Sequence, residues 1–147
     1  MIEILVVIIV FALIMKVSIR SIGDTIRRDR LAKATDILGA DVEQAFSIAA
    51  RQRMPVLMIL DRTNRTFSII DRVTTTKIYR RRSFAKTADY GLDSLFLTAN
   101  RDTIIIMPNG LATDTLNLTL RMFTRGGASY TKSVRASKAG MVRVNNR

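Results

Sequence analysis

The feature that most constrains this chain is an N-terminal run of 15 residues, Met1 to Met15, in which Glu3 is the only residue with a polar side chain. As an α-helix the run spans about 22 Å, less than the roughly 30 Å hydrocarbon core of a bilayer. Lys16 extends the span, because its long side chain can reach the lipid headgroups. We therefore expect residues 1–22 to form a transmembrane helix segment.

Glu3 is the exceptional residue of this run, because a carboxylate among lipid tails is costly and marks function by default. The alternative is that Glu3 lies at the interface of a plain anchor. The run has no basic segment before it and no small-residue cleavage site after it, so it differs from a secretory signal peptide. We expect the anchor to remain attached.

From Val17 to about Gln52 the chain lacks proline and its apolar residues recur at helical spacing. The pattern predicts one helix of about 50 residues from the N-terminus, near 75 Å long. Gly23 and Gly39 predict local bends. Residues 23–53 are the amphipathic half of this helix, and its predicted apolar stripe comprises Ile19, Ile22, Ile26, Ala34, Ile37 or Leu38, Val42, Ala45 and Ala49.

After Arg53 the apolar period changes to that of β-strands. Turn signals at Asn109-Gly110 and Gly126-Gly127 separate several of the strands. Residues 54–147 therefore predict a β-rich head, and the fold class is α+β, with a long N-terminal helix packed on an antiparallel sheet. The predicted strands are Met54–Leu60, Thr66–Ile70, Lys77–Arg80, Ser94–Leu97, Thr103–Met107, Leu116–Phe123, Ser129–Ala136 and Met141–Val144.

The residue types exclude several kinds of chemistry. The chain contains no Cys and no His, so thiolate and His-containing metal sites and the Ser-His-Asp triad are absent. An enzyme built from Ser, Lys and carboxylates stays open, but no spacing of these residues supports one. We predict a protein that is not an enzyme and that uses no cofactor or metal.

The net charge of +12, from 24 basic and 12 acidic residues, predicts an anion-attracting surface. Nucleic acid, anionic lipid, an acidic protein or solvent alone could face it. Residues 115–147 contain no Asp or Glu, and the candidate DNA- or anion-binding residues there are Arg121, Arg125, Lys132, Arg135, Lys138, Arg143 and Arg147. A second basic cluster comprises Lys77, Arg80, Arg81, Arg82 and Lys86, and the available stacking rings are Tyr79, Phe84, Tyr90 and Tyr130.

The string Met1-Ile2-Glu3-Ile4-Leu5-Val6-Val7-Ile8-Ile9 resembles the N-terminal segment of type IV pilins and pseudopilins. In that family a prepilin peptidase cuts after a glycine, the new terminus is methylated, and a glutamate at the fifth mature position compensates the terminal amine of a neighbouring subunit. The resemblance assigns this assembly role to Glu3. It also implies that the glycine and the first two mature residues precede Met1.

Three further segments resemble pseudopilin H and the FimT-like minor pilins, and they begin at Phe46, Ile105 and Ser133. The resemblance implies a single-pass protein of the bacterial inner membrane, with its head in the periplasm or on a filament. The basic residues after the apolar run favour the opposite orientation, which a basic leader would outweigh. FimT-like pilins of DNA uptake carry a Gly-Arg-x-Arg motif, and the matching string here is Gly140-Met141-Val142-Arg143, with one arginine replaced.

Three hypotheses follow from these observations. The first is a structural minor pilin or pseudopilin subunit, in contact with other pilin subunits and inner-membrane lipid. The second is a pilus-associated minor pilin that binds DNA for uptake. The third is a single-pass membrane protein unrelated to pili. The codons upstream of Met1 distinguish the third, because a short basic leader ending in glycine favours a pilin.

Overall fold

The computed structural model describes residues 2–84, 95–123 and 129–146, and for residues 16–21 and 146 it describes the backbone only. The described residues form one long α-helix followed by eight β-strands. The predicted α+β class, with a long helix packed on an antiparallel β-head, is confirmed. The elements are α1 (Ile2–Gln52), β1 (Val56–Asp61), β2 (Thr66–Asp71), β3 (Ile78–Ser83), β4 (Leu95–Ala99), β5 (Thr103–Ile106), β6 (Leu116–Phe123), β7 (Ser129–Ala136) and β8 (Val142–Asn146).

The head contains two four-stranded antiparallel sheets, whereas the strand pattern of the sequence predicted a single sheet. The first sheet has the order β3-β2-β1-β5, and the second sheet has the order β4-β6-β7-β8. The division falls between β4 and β5, which are neighbours in sequence. β5 returns to pair with β1, and β4 pairs instead with β6.

Most strand bounds agree closely with the predicted ones, and those of β6 and β7 are the same. β3 is the main difference, because it continues to Ser83 although Arg80 was its predicted end. A run of arginines predicts a loop more readily than a strand. β3 accommodates them because it lies at the edge of the first sheet. Ser94, the predicted first residue of β4, lies outside the described residues.

The second half of α1 packs on both sheets through one buried stripe. Its residues recur at intervals of three or four, so they lie on one side of the helix. Ile22 and Ile26 were placed on this stripe by the prediction but remain 60% and 45% exposed, because at about 100° per residue they lie far around the helix from the buried positions. The side chain of Ile19 lies outside the described part of the chain. The buried positions, each no more than 1% exposed, are Leu31, Ala34, Leu38, Val42, Ala45 and Ala49.

The helix continues through Gly23 and Gly39, the two positions of its predicted bends. Instead of bending the helix, Gly39 allows β8 to approach it closely. A Cβ atom at this position would lie 3.2 Å from the side chain of Val144. The missing side chain therefore allows the last strand of the second sheet to lie directly on the helix.

A buried ion pair ties α1 to the first sheet. The side chain of Asp41 is 3% exposed, and Arg82 on β3 donates a hydrogen bond of 2.7 Å to its Oδ2. The Nε atom of Arg80 lies 3.3 Å from Oδ1 of the same carboxylate. One buried acid thus holds two arginines of the edge strand, which would repel each other without it.

We expect Asp41→Asn to lower the free energy of unfolding by about 2 kcal/mol, because hydrogen bonds to charged groups contribute roughly 1.5–3 kcal/mol. Asp36→Asn is the matched control, since Asp36 is exposed on the same helix and its loss should cost under about 0.5 kcal/mol. Urea unfolding followed by circular dichroism measures both. Equal stability of the two variants would contradict the structural role of Asp41.

Gly140 lies in the turn between β7 and β8 and has a positive φ of 81°. A Cβ atom there would lie 2.9 Å from the ring of Phe46 on α1. Gly110 has a similar φ of 78°, but a Cβ atom at that position would have no atom within 4 Å. Both turns need glycine for the backbone, and only Gly140 also needs it for packing.

We expect Gly110→Ala to destabilise the protein by about 1 kcal/mol, which is the cost of a left-handed backbone for a residue with a Cβ. Gly140→Ala should cost about 1–3 kcal/mol more, because a contact with the Phe46 ring is added to that strain. Thermal unfolding of the two variants measures the difference. A smaller loss in Gly140→Ala than in Gly110→Ala would refute the packing argument.

Candidate functional site

The first turns of α1, residues 2–15, carry large apolar side chains that remain largely exposed. The large apolar residues between Ile2 and Met15 are between 47% and 77% exposed, and the head first covers the helix at Leu31. Among the residues with described side chains, no helix is both long enough and apolar enough to cross a membrane. We call residues 2–15 the apolar stem.

Glu3 lies in the first turn of the apolar stem and is exposed. The first turn of a helix has free backbone N–H groups and a partial positive charge, so a carboxylate there is favourable. Every neighbour of Glu3 in the stem is apolar. The structure therefore presents one negative charge on a surface that otherwise offers only hydrocarbon.

The second candidate feature is the outer face of the second sheet, which points away from α1. The inward positions of β6 are Leu116, Leu118, Leu120 and Met122, so Arg121 points outward. Arg135 on β7 is paired with Arg143 on β8, and both are exposed on this face. Directly paired residues have Cα atoms about 4.5–5.5 Å apart, so the two arginine side chains leave the sheet side by side. The strands of this sheet contain no Asp or Glu.

Arg121 is part of an aromatic cluster on the outer face. Its guanidinium carbon lies 4.7 Å from the centre of the Phe123 ring, a cation–π contact. Phe96 is paired with Arg121 across the sheet, and its ring meets that of Phe123 edge-on at 5.5 Å. Phe96 is 54% exposed, and it was not among the stacking rings predicted from the sequence. The alternation Leu95-Phe96-Leu97-Thr98 was the available signal, because buried leucines at alternate positions turn Phe96 outward.

The structure separates the seven predicted basic residues of the C-terminal region. Lys132 pairs across the sheet with Leu120 on the face that points toward α1, so it does not join the outer face. Lys138 lies in the β7–β8 turn. Arg125 and Arg147 fall outside the described residues. Three of the seven residues share the outer face, and they are Arg121, Arg135 and Arg143.

A groove of about 310 Å³ lies beside the paired arginines, and Arg135, Met141 and Arg143 are among its lining residues. The Gly140-Met141-Val142-Arg143 string therefore has two parts. Gly140 is required by the turn and by Phe46, independently of any ligand. Met141 is 60% exposed and lies beside Arg143, so the position of the replaced arginine lies at the basic groove.

The second basic cluster is largely used within the protein. Arg80 and Arg82 face Asp41, and the ammonium nitrogen of Lys77 lies 5.0 Å from the ring centre of Tyr79. Arg81 is exposed on the opposite face of β3. Lys86 lies outside the described residues. The described arginines of this cluster therefore lie on two different faces of β3.

The predicted stacking rings are similarly divided. Phe84 is fully buried, and the hydroxyl oxygen of Tyr79 lies 2.5 Å from Oε1 of Gln52 and 3.0 Å from Oδ2 of Asp71. Tyr130 lies under the guanidinium group of Arg28. Tyr90 lies outside the described residues. None of the described three offers a free ring on the outer face.

The carboxylates with a shifted pKa stabilise turns. The backbone N–H groups of Val73 and Thr74 lower the pKa of Asp71. A hydrogen bond from Arg101 likewise lowers the pKa of Asp114. These two groups are held ionised. Within the described ranges no three metal-ligating side chains are grouped together.

No protein-family model matches the sequence, and no curated protein matches it. Solved structures do match the fold. The minor pseudopilin EpsH from the type 2 secretion system of Vibrio cholerae superposes with a TM-score of 0.58 at 12% identity, and the match covers 80% of this chain and 97% of that one.

The type IV minor pilin FimU of Pseudomonas aeruginosa superposes with a TM-score of 0.60 at 17% identity, covering 80% of this chain and 90% of that one. A second crystal form of FimU gives 0.57 at 15% identity and covers 78% and 91%. The fold of this chain is thus the fold of type IV minor pilins and pseudopilins. This confirms, at the level of the fold, the resemblance first seen at Glu3 and its apolar neighbours.

Proposed function

We propose that this chain is a non-enzymatic minor subunit of a type IV pilus-like filament or a type II secretion pseudopilus, assembled through its N-terminal helix. The apolar stem is the observation that carries the proposal. Its side chains are about half to three-quarters exposed, and a surface of that kind is stable only in lipid or against other apolar surfaces. Stems of neighbouring subunits, packed side by side, supply such a surface.

Glu3 is the assembly residue in this proposal. When stems pack together, the carboxylate leaves water, and a charge in that environment is costly without a partner. The processed N-terminal amine of a neighbouring subunit is the partner that the pilin resemblance supplies. A stem whose Glu3 carboxylate does not meet such an amine is therefore less stable in the packed filament.

The proposal also includes the route to the filament. A prepilin peptidase removes a leader, and the subunit waits in the bacterial inner membrane as a single-pass protein with the stem in lipid. Its head then lies in the periplasm, or on the cell surface within a filament. The minor pseudopilin and minor pilin folds that superpose on this chain support an envelope location without distinguishing the two filaments.

We expect Glu3→Gln to reduce incorporation into filaments at least tenfold, because the variant removes the charge but keeps the size and polarity of the side chain. Asp36→Asn is the matched control, since it removes a carboxylate from the exposed side of the same helix. Immunoblots of sheared or purified filaments against total cell protein measure incorporation. Incorporation of Glu3→Gln at the level of Asp36→Asn would count against the proposal.

The outer face of the second sheet favours a second candidate function, DNA binding for uptake. Arg135 and Arg143 are adjacent, exposed and free of neighbouring carboxylates on their strands. Two such side chains neutralise phosphates without reading base sequence. Met141 lies beside them where the Gly-Arg-x-Arg motif has its first arginine, so one substitution would complete the charge of the motif.

For this candidate we expect the full chain in detergent micelles to bind duplex DNA with an affinity that falls steeply with salt, measured by fluorescence anisotropy. Met141→Arg should tighten binding about tenfold, and Arg135→Glu with Arg143→Glu should abolish it. The control, Arg72→Glu with Arg81→Glu, makes the same change in net charge elsewhere on the head. An equal effect of both reversals, or no gain from Met141→Arg, would reject a DNA site on the outer face.

A further inference from the structure

The outer face of the second sheet has two ends of different chemistry. At one end Phe96 on β4 pairs with Arg121 on β6, and at the other end Arg135 on β7 pairs with Arg143 on β8. Arg121 also pairs with Thr131, which precedes Arg135 by four residues on β7. At about 3.3 Å per residue the two ends are about 13 Å apart, so one extended ligand can contact both.

The surface between the two ends is polar and uncharged. One row of paired residues crosses all four strands there, and each of its side chains is a short hydroxyl or amide. The row consists of Thr98, Thr119, Ser133 and Asn145. Because the four strands contain no Asp or Glu, no carboxylate of the sheet repels an anion along this path.

Phe96 supplies an aromatic ring at the first end. The side chain is 54% exposed, although phenylalanine is among the residue types that proteins bury most often. Its ring makes an edge-to-face contact with the ring of Phe123, with an angle of 86° between the two planes. The exposed fraction shows that much of the Phe96 ring stays open to solvent beside this contact. An open ring on a flat sheet is a surface on which a nucleobase can stack.

Arg121 is held in a fixed orientation next to this ring. Its guanidinium carbon lies 4.7 Å from the centre of the Phe123 ring, and its Nη2 atom donates a hydrogen bond of 3.3 Å to Oγ of Ser129. A guanidinium group has five N–H donors, so further donors are left for a ligand. A donor that is already oriented loses less entropy when a phosphate binds.

The aromatic ring distinguishes a single strand from a duplex. The bases of a duplex are stacked on one another and offer only their edges in the grooves. A duplex can therefore contact the arginines but cannot use Phe96 as a stacking surface. A single strand exposes the faces of its bases, and about four stacked nucleotides, at about 3.4 Å each, cover the distance between the two ends.

We propose that the outer face binds single-stranded nucleic acid, with one base stacked on Phe96 and phosphates held by the arginines at both ends. Arg121 binds the phosphate next to the stacked base, and Arg135 and Arg143 bind the backbone farther along the strand. This inference rests on the second candidate function, DNA binding on this face, and it specifies the form of the nucleic acid. It also explains the exposed ring, which phosphate binding alone does not require.

The test measures fluorescence anisotropy with the full chain in uncharged detergent micelles. The probes are a short labelled DNA strand of mixed sequence, its duplex, and an abasic strand of the same length and charge. We expect the strand with bases to bind at least tenfold more tightly than the abasic strand, because stacking on Phe96 is lost without bases. It should also bind more tightly than the duplex, although the duplex carries more charge.

Two substitutions at one position separate the ring from its apolar character. Phe96→Leu should weaken binding of the single strand about tenfold and change binding of the duplex less than twofold. Phe96→Tyr is the matched control, because it keeps the ring, and it should change single-strand binding less than twofold. Melting temperatures within a few degrees of wild type show that both variants fold.

Several results would overturn the proposal. Equal affinity for the abasic strand, or for heparin of the same charge, would show attraction to negative charge alone. Equal losses of single-strand binding in Phe96→Leu and Phe96→Tyr would show that the ring does not act by stacking. Loss of filament incorporation in Phe96→Leu, with unchanged single-strand binding, would assign Phe96 to a contact between subunits.

The same measurements separate this inference from the functions on which it builds. If the duplex bound as tightly as the single strand and Phe96→Leu had no effect, this inference would be rejected and DNA binding on the outer face would stand. If none of the probes bound, both would be rejected. The Glu3→Gln variant should bind the single strand as the wild type does, because Glu3 lies in the first turn of α1, so the assembly role is tested independently.

Discussion

The burial of one helix face against the two sheets is the interaction on which the rest of the molecule depends. Leu31, Leu38 and Val42 are almost completely buried there, and each such side chain contributes about 1.5–3 kcal/mol. An exposed ion pair such as that of Arg62 and Asp102 contributes at most about 1 kcal/mol. Because α1 is continuous, the same packing that fixes its second half also fixes the direction of the apolar stem.

The arginines of the head have two different roles, which net charge alone conceals. Arg82 and Arg80 compensate the buried Asp41 and belong to the stability of the fold. Arg135 and Arg143 have no such partner on their strands and face the exterior. The excess of positive charge that a binding partner meets is therefore concentrated on the second sheet and is lower on the first.

The helix and most strands could be predicted from the sequence, because their evidence is local. Each pattern can be recognised within a short stretch of sequence: the apolar stem with one carboxylate, the stripe at helical spacing, and the alternation in β6 and β7. The separation into two sheets could not be predicted in this way, since it depends on which distant strand β5 joins. Periodicity predicts which residues of a strand face the core, and it does not predict which strands pair.

The functional sites could likewise be predicted only where their evidence is local. Glu3 was identifiable because a charge in an apolar run is conspicuous in the sequence itself. The contact between Arg28 and Tyr130 joins residues from distant parts of the chain, and no local sequence pattern predicts it.

The contact of Gly39 with Val144 has a consequence for how the molecule forms. β8 covers a part of the helix that a ribosome releases long before it releases β8 itself, so that part waits uncovered while the intervening strands are made. Contacts this distant in sequence form slowly, because the loop they close has high entropy. The packing of the head on this part of the helix therefore cannot be completed before β8 has been synthesised.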